Sequence, residues 1–341
     1  MENPVISIIT PAFNRAEEVD YLIRSIQDQT LDHSQFEHII SDDGSTDNTE
    51  DVVRKWREKV DYPIHFISQE NQGPGAARNH GLKQSSGDLI LFIDSDCEAD
   101  PKWVEKIYTE FTQNPFGACG GPDASKADFS VVQKAIDFAM TSFFTTGGMR
   151  GHSEKMLAKF FPRTHNMGMT REVYEKVGGF GPLRHGQDIE MSNRIRRSGA
   201  EIRFIKDAVV YHRRRTGIRQ FFKQVFNWGV ARVNLYKIDK QLLEPIHLLP
   251  SVALTAGLSI IAGFVIGVPY FSFLFLSILG ALGSLSILGG IKRSSIGVMI
   301  ILPIIIPIQI GGYGLGFIWA FINRVILGRG SMTGFVKQYY K

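Results

Sequence analysis

Short apolar runs alternate with segments of helical spacing along the first hundred residues. Four runs rich in branched and aromatic residues predict β-strands, at residues 5–10, 37–41, 64–67 and 88–93. Three segments with one apolar face predict helices, at residues 16–29, 46–58 and 73–84. In the first of them the apolar face holds Val19, Leu22, Ile23 and Ile26. Nearly continuous apolar strands that alternate with helices are typical of a parallel sheet covered on both faces, so we predict an α/β domain.

A polar cluster follows each of the four predicted strands. These clusters are residues 11–14, 42–45, 70–73 and 94–96. Parallel strands bring their carboxyl ends to one edge of the sheet, and ligands bind beyond that edge. The pattern therefore predicts that the four clusters meet in one ligand site.

The last hundred residues are strongly apolar. No Asp, Glu, Lys or Arg occurs from Pro245 to Ile291 or from Ser294 to Asn323. Because a bilayer span needs about 20 apolar residues, we predict three spans, at residues 246–267, 270–290 and 296–322. Two prolines and a Gly-Gly pair leave open the alternative that the third segment is a re-entrant pair.

Charge predicts the orientation of these spans. Seven basic residues and no acid occur between Ala208 and Ile238, which places the α/β domain in the cytoplasm by the positive-inside rule. The N-terminus lacks the features of a signal peptide, and Cys97 and Cys119 are expected to be free thiols. We predict a multi-pass protein of the cell (inner or plasma) membrane. Its parts are the α/β domain at 1–215, an amphipathic interfacial helix at 216–240 and a transmembrane region with a basic tail at 241–341.

Two carboxylates flank one serine at the end of the fourth strand. Asp94 and Asp96 are hard oxygen ligands one residue apart, which suits Mg²⁺ or Mn²⁺ and leaves further coordination positions for phosphate oxygens. A bound cation would also remove the repulsion between the two carboxylates. The alternative is a solvated acidic turn.

Several ordered motifs resemble the family 2 glycosyltransferases, whose nucleotide-sugar-binding fold is called GT-A. The resemblance runs from about Val5 to Arg215 and rests on VISIITPAFNR, SDDGSTDNT, NQGPGAARNHG, the DSD motif of D-x-D type, GGF and GQDIEMSNRIRRSG. It implies a GT-A domain followed by an α-helical membrane domain.

The resemblance implies a set of donor-binding residues. The nucleotide-sugar would contact Pro11, Phe13, Asn14, Asp43, Gly75, Arg78, Asp94 and Ser95. Asp42 is the less certain carboxylate of its pair, and both could instead belong to a turn. Mg²⁺ or Mn²⁺ would be held by Asp94, Asp96 and His212. Arg78 could equally be an exposed helical residue without a role.

The resemblance also implies a catalytic base. Asp188 would take the proton of the acceptor hydroxyl, with Glu190 as the second candidate. The alternative for Asp188 is a helix N-cap. Many relatives carry Glu before this Asp, whereas this chain has Gln187. Arg213 and Arg215 would neutralise the departing diphosphate, or would form a basic patch facing the membrane.

A further motif lies in the amphipathic segment. Gln224, Asn227 and Trp228 read Q-x-x-N-W, and Gln224 and Trp228 are candidates for the acceptor side. Processive relatives carry Q-x-x-R-W there, so the Asn weakens the case for a polymerising enzyme.

These observations predict a membrane-anchored, metal-dependent inverting glycosyltransferase. A UDP-sugar is the expected donor, with GDP-mannose as the other candidate, and the acceptor is expected to be lipid-linked or close to the membrane. The expected partners are the donor, the acceptor and the lipid bilayer, without nucleic acid. Two alternatives stay open. One is a membrane scaffold with an inactive transferase domain, and the other is a phosphohydrolase with Asp94 as nucleophile.

Overall fold

The computed structural model describes residues 5–124, 129–146, 160–212, 217–331 and 333–335. Contacts among these residues divide the chain into two compact units. An α/β unit comprises residues 5–124 and 160–212, and a helical unit comprises 129–146 and 217–335 without 332.

The α/β unit is built around two sheets. Its strands are β1 (Ile6–Ala12), β2 (Phe36–Asp42), β3 (Ile64–Ser68), β4 (Leu89–Phe92), β5 (Cys97–Ala99), β6 (Ala118–Gly120), β7 (Asp123–Ala124), β8 (Met167–Thr170), β9 (Ile202–Phe204) and β10 (Val210–His212). The large sheet has the order β3-β2-β1-β4-β8-β6-β9, and the small one β5-β10-β7. The first four strands are mutually parallel, whereas β8 is antiparallel to β4 and β6.

The helices divide between the two units. Those of the α/β unit are α1 (Ala16–Gln27), α2 (Thr49–Arg57), α3 (Pro74–Gln84), α4 (Trp103–Gln113), α7 (Arg171–Val177) and α8 (Gln187–Arg197). Those of the helical unit are α5 (Val131–Thr141), α6 (Phe143–Thr146), α9 (Ile218–Ile238), α10 (Leu249–Val265), α11 (Pro269–Lys292) and α12 (Ile296–Phe321).

Burial explains why the first strands and helices form as predicted. All seven residues of β1 and of β2 are buried, as expected of strands covered on both faces. The predicted apolar face of α1 is fully buried, with 0% exposure at Val19, Leu22, Ile23 and Ile26. These side chains pack in the core between the sheet and the helices on one of its faces. The α/β fold class is confirmed.

The helical unit includes residues that lie before the predicted domain boundary at residue 215. Helix α5 lies inside the predicted catalytic domain, but its apolar face packs with α9 and α12 in one core. Asp137 of α5 also forms an ion pair with Arg293, in the turn after α11. The apolar residues of α5 therefore find their partners far along the chain, which a local pattern cannot indicate.

Three helices are long and apolar enough to cross a membrane, at Pro245–Val265, Pro269–Lys292 and Ile296–Ile326. Helix α12 is continuous through Pro303 and Pro307, so the alternative of a re-entrant pair broken at these prolines is wrong. The amphipathic segment forms α9, as predicted. Its apolar side chains, such as Phe221 and Val225, are fully buried in a protein core rather than exposed.

Candidate active site

The loops that follow β1 and β2 form one structure, and Asn14 joins them. The Asn14 backbone N–H donates to Ser45 Oγ at 2.8 Å, and Asn14 Oδ1 accepts from the Thr46 N–H at 2.7 Å. Asn14 has φ 51°, a left-handed conformation that Asn tolerates better than most residues. Pro11 is buried within β1, and Phe13 is half-buried beside Asn14. Two of the predicted clusters therefore meet.

The carboxylate of Asp43 joins a third cluster to this edge. It is fully buried and accepts three hydrogen bonds, from Gln69 Nε2 at 2.8 Å, the Gln72 N–H at 2.9 Å and the Gly73 N–H at 2.7 Å. Asp42 accepts from the two backbone N–H groups that follow Asp43 in the chain, as in an Asx turn. Asp43 thus holds the loop that leads into α3, and its contact with a nucleotide stays a prediction.

Arg78 of α3 is not the exposed helical residue of the alternative interpretation. Its side chain is 5% exposed, and one guanidinium nitrogen donates to Asp94 Oδ1 at 2.5 Å. The guanidinium also lies over the ring of Phe180, 5.5 Å from the centroid. Arg78 Nε is buried and has no hydrogen-bond partner among the described residues. The Arg78 guanidinium therefore lies against Asp94, the first of the two carboxylates predicted to bind a metal ion. The next residue in the chain, Ser95, is buried.

Three carboxylates surround the buried thiol of Cys97. Burial, and then the negative charges of Asp96, Asp94 and Asp123, hold the pKa of this thiol well above its ordinary value. Asp123, which sequence reasoning missed, lies on β7 in the small sheet. The backbone of His212 pairs with Cys97, so the strand end predicted to bear a metal ligand reaches the D-x-D turn. The side chain of His212 lies outside the described residues.

The donor atoms at this turn fit a small divalent cation. Among the described side chains, no three carboxylate, imidazole or thiol groups converge closely enough to form a complete metal site. Asp94 and Asp96 offer carboxylate oxygens, and the Asp94 side chain is 27% exposed. Mg²⁺ commonly takes one or two carboxylates and fills its remaining positions with water and substrate phosphates. The pair suits such an ion better than a closed protein cage would.

Asp188 lies in the first turn of α8 and pairs with a cation. Arg163 Nη1 donates to Asp188 Oδ2 at 2.9 Å, and the Ile189 N–H donates to Oδ1 at 2.9 Å. Burial raises the pKa of Asp188, but the charge and hydrogen bond of Arg163, with smaller contributions from Ile189 and His165, outweigh it and hold the pKa below its ordinary value. Asp188 is therefore ionised at neutral pH.

Glu190, the second candidate for the base, is engaged elsewhere. Both of its oxygens accept from Arg194, at 2.6 and 2.9 Å. Arg194 also donates to the backbone carbonyls of Val177 and Gly179. Glu190 thus secures the segment before α8, which leaves Asp188 as the better candidate.

The first turns of α3 and α8 are in direct contact. A Cβ added at Gly75 would lie 2.1 Å from Gln187 Nε2, so any larger residue at this position would require the Gln187 amide to move. One turn further along α3, Asn79 accepts from the Phe180 N–H at 2.7 Å and donates to the Phe180 carbonyl at 2.9 Å. Helix α3 therefore positions both the GGF segment and the start of α8.

Sequence reasoning missed two side chains that organise this site. Arg163 lies outside the quoted motifs, and nothing in its local pattern indicates a partner 25 residues away. Asn79 lies within the quoted motif NQGPGAARNHG and could have been considered. However, the sequence does not indicate which group a polar residue on a helix binds.

The remaining predicted residues are not part of the described α/β site. Gln224 and Trp228 lie half-buried on α9, in the helical unit. Between them Asn227 is 5% exposed, and its Oδ1 accepts from the Phe335 N–H at 3.0 Å. Arg213 and Arg215 lie outside the described residues.

The sheet order and the strand-end site define the GT-A class of nucleotide-sugar-binding α/β domains. Residues 7–178 match Glycosyl transferase family 2, and the chain belongs to this family. It is 27% identical to the glycosyltransferase AglE of Haloferax volcanii over 238 residues, which cover 70% of this chain and 76% of that protein. It is 37% identical to the poly(ribitol-phosphate) beta-N-acetylglucosaminyltransferase TarS of Staphylococcus aureus over 90 residues, which cover 26% of this chain and 16% of that one.

A solved structure shares the fold of the chain. The mannosyltransferase PcManGT of Pyrobaculum calidifontis, in complex with GDP-Man and Mn²⁺, aligns with a TM-score of 0.65 at 17% identity. The alignment covers 94% of this chain and 88% of that one. Because the chain belongs to Glycosyl transferase family 2, it is a transferase enzyme, and the alternative in which Asp94 is the nucleophile of a phosphohydrolase has no support.

Proposed function

We propose that this enzyme is a membrane-anchored, metal-dependent inverting glycosyltransferase that uses a nucleotide-diphosphate sugar. The observation that carries the proposal is the double contact of α3. Arg78 pairs with Asp94, while Gly75, one turn earlier, touches Gln187 beside Asp188. One helical turn thus connects the carboxylates suited to the donor with the carboxylate suited to the acceptor.

The donor side is organised for a diphosphate. Asp94 and Asp96, with His212, would hold a divalent cation, which when bound offsets the charge of the diphosphate leaving group. Arg78 adds a fixed positive charge beside Asp94, so the carboxylate pair is not left to repel alone. The fold relative described with GDP-Man and Mn²⁺ supports this class of donor and cofactor. A UDP-sugar is the donor first expected from the D-x-D resemblance, and GDP-mannose is the other candidate.

The acceptor side is organised for proton removal. Asp188 accepts the proton of the acceptor hydroxyl while that oxygen attacks the anomeric carbon, and the carbon–oxygen bond to the diphosphate breaks on the opposite face. Configuration is inverted and no covalent enzyme intermediate forms. Arg163 keeps Asp188 ionised and fixes the direction of its carboxylate.

The apolar helices support a location at the membrane. Helices α10 and α11 expose apolar side chains along their length, among them Leu258, Phe273 and Leu276 at 57%, 68% and 62%. Such surfaces are stable in lipid rather than in water. Basic residues before α10 favour a cytoplasmic catalytic unit. An enzyme held in this way would act on a lipid-linked or membrane-proximal acceptor.

The test compares two substitutions in full-length protein in membranes. Asp188→Asn should lower the release of nucleotide diphosphate by roughly 10²–10⁴-fold, the usual contribution of a general base, and should leave donor binding intact. Glu190→Gln is the matched control, because the other candidate base lies two residues away in the first turn of the same helix. Unchanged turnover in Asp188→Asn would refute the assignment, and wild-type protein without turnover on UDP- and GDP-sugars with membrane lipid would favour the inactive scaffold.

A further inference from the structure

Helices α10 and α11 form an antiparallel hairpin. Only residues 266–268 separate them, and a Cβ added at Gly263 would lie 2.3 Å from the ring of Phe271. The rings of Phe264 and Phe275 stack with centroids 4.4 Å apart. The beginning of α10 and the end of α11 therefore lie at the same end of the hairpin, away from its turn.

Helix α12 contacts both of these ends. A Cβ at Gly290, near the end of α11, would lie 2.7 Å from Met299 Cβ. A Cβ at Gly314 would lie 2.8 Å from the carbonyl oxygen of Pro250, at the beginning of α10. Met299 and Gly314 are separated by about 22 Å at 1.5 Å per residue. If α12 ran alongside the hairpin towards its turn, it could contact only one of these two ends. Because it contacts both, α12 runs across the open end of the hairpin.

Helix α9 lies alongside α12 in the same direction. A Cβ at Gly312 would lie 2.5 Å from Val225 Cγ2, and one at Gly316 would lie 2.1 Å from the Phe226 carbonyl oxygen. Further along, Arg324 donates to Asn234 Oδ1. Because the two helices stay in contact, α12 can cross the hydrocarbon only if it carries α9 with it.

The composition of α9 opposes such a position. Its exposed side chains include Arg219, Lys223 and Lys237, and it also bears the half-buried Arg232, six residues before its end. Charged side chains are costly in the hydrocarbon and stable at its boundary. Helices α9 and α12 therefore share a depth at the surface of the bilayer.

The face of α12 turned away from α9 fits lipid at that depth. Apolar side chains are exposed along it at Ile300 68%, Ile304 52% and Leu315 44%, and the exposed stripe continues at Ile322 43% and Ile326 65% in the helical turn that follows α12. In the most apolar stretch of α12, 28% of the residues are buried within the protein, against 6% in the corresponding stretches of α10 and of α11. The basic side chains of α9 and the apolar stripe of α12 together supply the charged and apolar faces that an interfacial helix combines.

We propose that α12 is an interfacial helix that lies on the bilayer beside α9, and that only α10 and α11 cross. The proposal rests on the membrane anchoring in the proposed function. The apolar stripe from Ile300 to Ile326 then contacts the boundary of the lipid acyl chains. Residues after α12 then stay on the side where α10 begins, which returns Arg324 and Arg329 to the side favoured by the positive-inside rule.

Single-cysteine labelling in sealed vesicles tests the topology. An impermeant maleimide is applied to full-length Ile266→Cys, in the hairpin turn, Lys292→Cys, before α12, and Gly330→Cys, after it. All three positions are exposed, and the wild-type chain is the blank because Cys97 and Cys119 are buried. We expect Gly330→Cys to label from the same side as Lys292→Cys and from the side opposite to Ile266→Cys.

Two other outcomes overturn the proposal in different ways. If Gly330→Cys labels together with Ile266→Cys, then α12 crosses. If Ile266→Cys and Lys292→Cys label from one side, then the hairpin does not cross and the anchoring itself fails. Glycosyl transfer measured in the same vesicles reports separately on the proposed function.

Depth measurement provides a second test that needs no sidedness. Spin labels at Ile300, Ile304, Leu315 and Trp319 should report one shallow depth by their relative accessibility to oxygen and to a polar nickel complex. Depth in this measurement is counted from the nearer surface, so a crossing helix would place the labels at Ile304 and Leu315, on either side of its middle, about 6 Å deeper than those at Ile300 and Trp319. A maximum of depth near the middle of α12 would contradict the proposal.

Discussion

The substitution Gly75→Ala should impair catalysis far more than it impairs folding. The added Cβ would lie 2.1 Å from Gln187 Nε2, 2.8 Å from its Cδ and 2.9 Å from its Oε1. Since nonbonded heavy atoms prefer about 3.5 Å, the amide of Gln187 must withdraw by roughly 1.4 Å. Asp188 is the next residue, so movement at the beginning of α8 is passed to the candidate base.

The expected magnitudes for folding and for rate differ. Gln187 gives up a hydrogen bond of 3.3 Å to the Gly181 carbonyl, which corresponds to about 1 kcal/mol of unfolding free energy. The flexible end of the side chain can absorb much of the remaining overlap. A displacement of about 1 Å in a reacting group can cost roughly 10²-fold in rate. We therefore expect kcat/KM to fall by about 10–100-fold.

A double-mutant cycle tests this reasoning. Glycosyl transfer and thermal unfolding in detergent are measured for Gly75→Ala, Gln187→Ala and the double variant. Without the Gln187 amide there is nothing for the new Cβ to displace, so Gly75→Ala should have almost no further effect in that background. Gly257→Ala, at a helical glycine with no neighbouring atom within 4 Å, is the control and should change neither quantity. An equal loss of rate in both backgrounds would refute the contact as the cause.

Three further substitutions test other contacts. Arg163→Met removes the charge that lowers the pKa of Asp188 and leaves burial, which raises it, so the acidic limb of the pH–rate profile should move to higher pH; an unmoved limb would contradict this. Arg293→Met removes the paired charge from Asp137, whose side chain is 7% exposed, and should lower the thermal midpoint in detergent more than Asp137→Asn, which leaves Arg293 at 26% exposure; the reverse order would contradict it. Asn166→Ala orphans an indole N–H and the buried Ala208 carbonyl, while the Pro122 carbonyl keeps the Val210 N–H, so unfolding should become easier by about 2–3 kcal/mol; a loss below 1 kcal/mol would show that water replaces the amide.

The first four strands could be predicted because their burial is a local property. The runs at 37–41 and 64–67 lie within β2 and β3, although Glu37 and His38 interrupt the apolar pattern of β2 and only Ile64 of β3 is fully buried. The predicted helix at 73–84 agrees with α3 to within one residue, because Pro74 fits the first turn of a helix and Gly73 has φ 96° before it. Later strands of two to four residues, such as β7, are too short to show a pattern.

The candidate site residues were chosen by their chemistry, and the contacts that connect them were missed. Asp94, Asp96 and Asp188 were recognised as residue types in ordered motifs. The cations that set their charge environment, Arg78 for Asp94 and Arg163 for Asp188, depend on long-range packing. Arg78 was predicted to reach the nucleotide. In the structure it pairs with a carboxylate, because burial of a guanidinium requires a counter-charge.

Helices α5 and α12 show why an apolar pattern is ambiguous. Hydropathy measures the free energy of leaving water, and this quantity is nearly the same whether the new neighbour is lipid or protein. The α12 segment is long and apolar enough to span a membrane, yet α9 packs closely against its glycines at 312 and 316. The glycines can be read from the sequence and indicate that another helix packs closely there. Which helix it is becomes clear only from the structure. A helix with small residues on one side and exposed isoleucines on the other has two different neighbours. For α12 these are a charged helix and the bilayer, and only their shared boundary accommodates both.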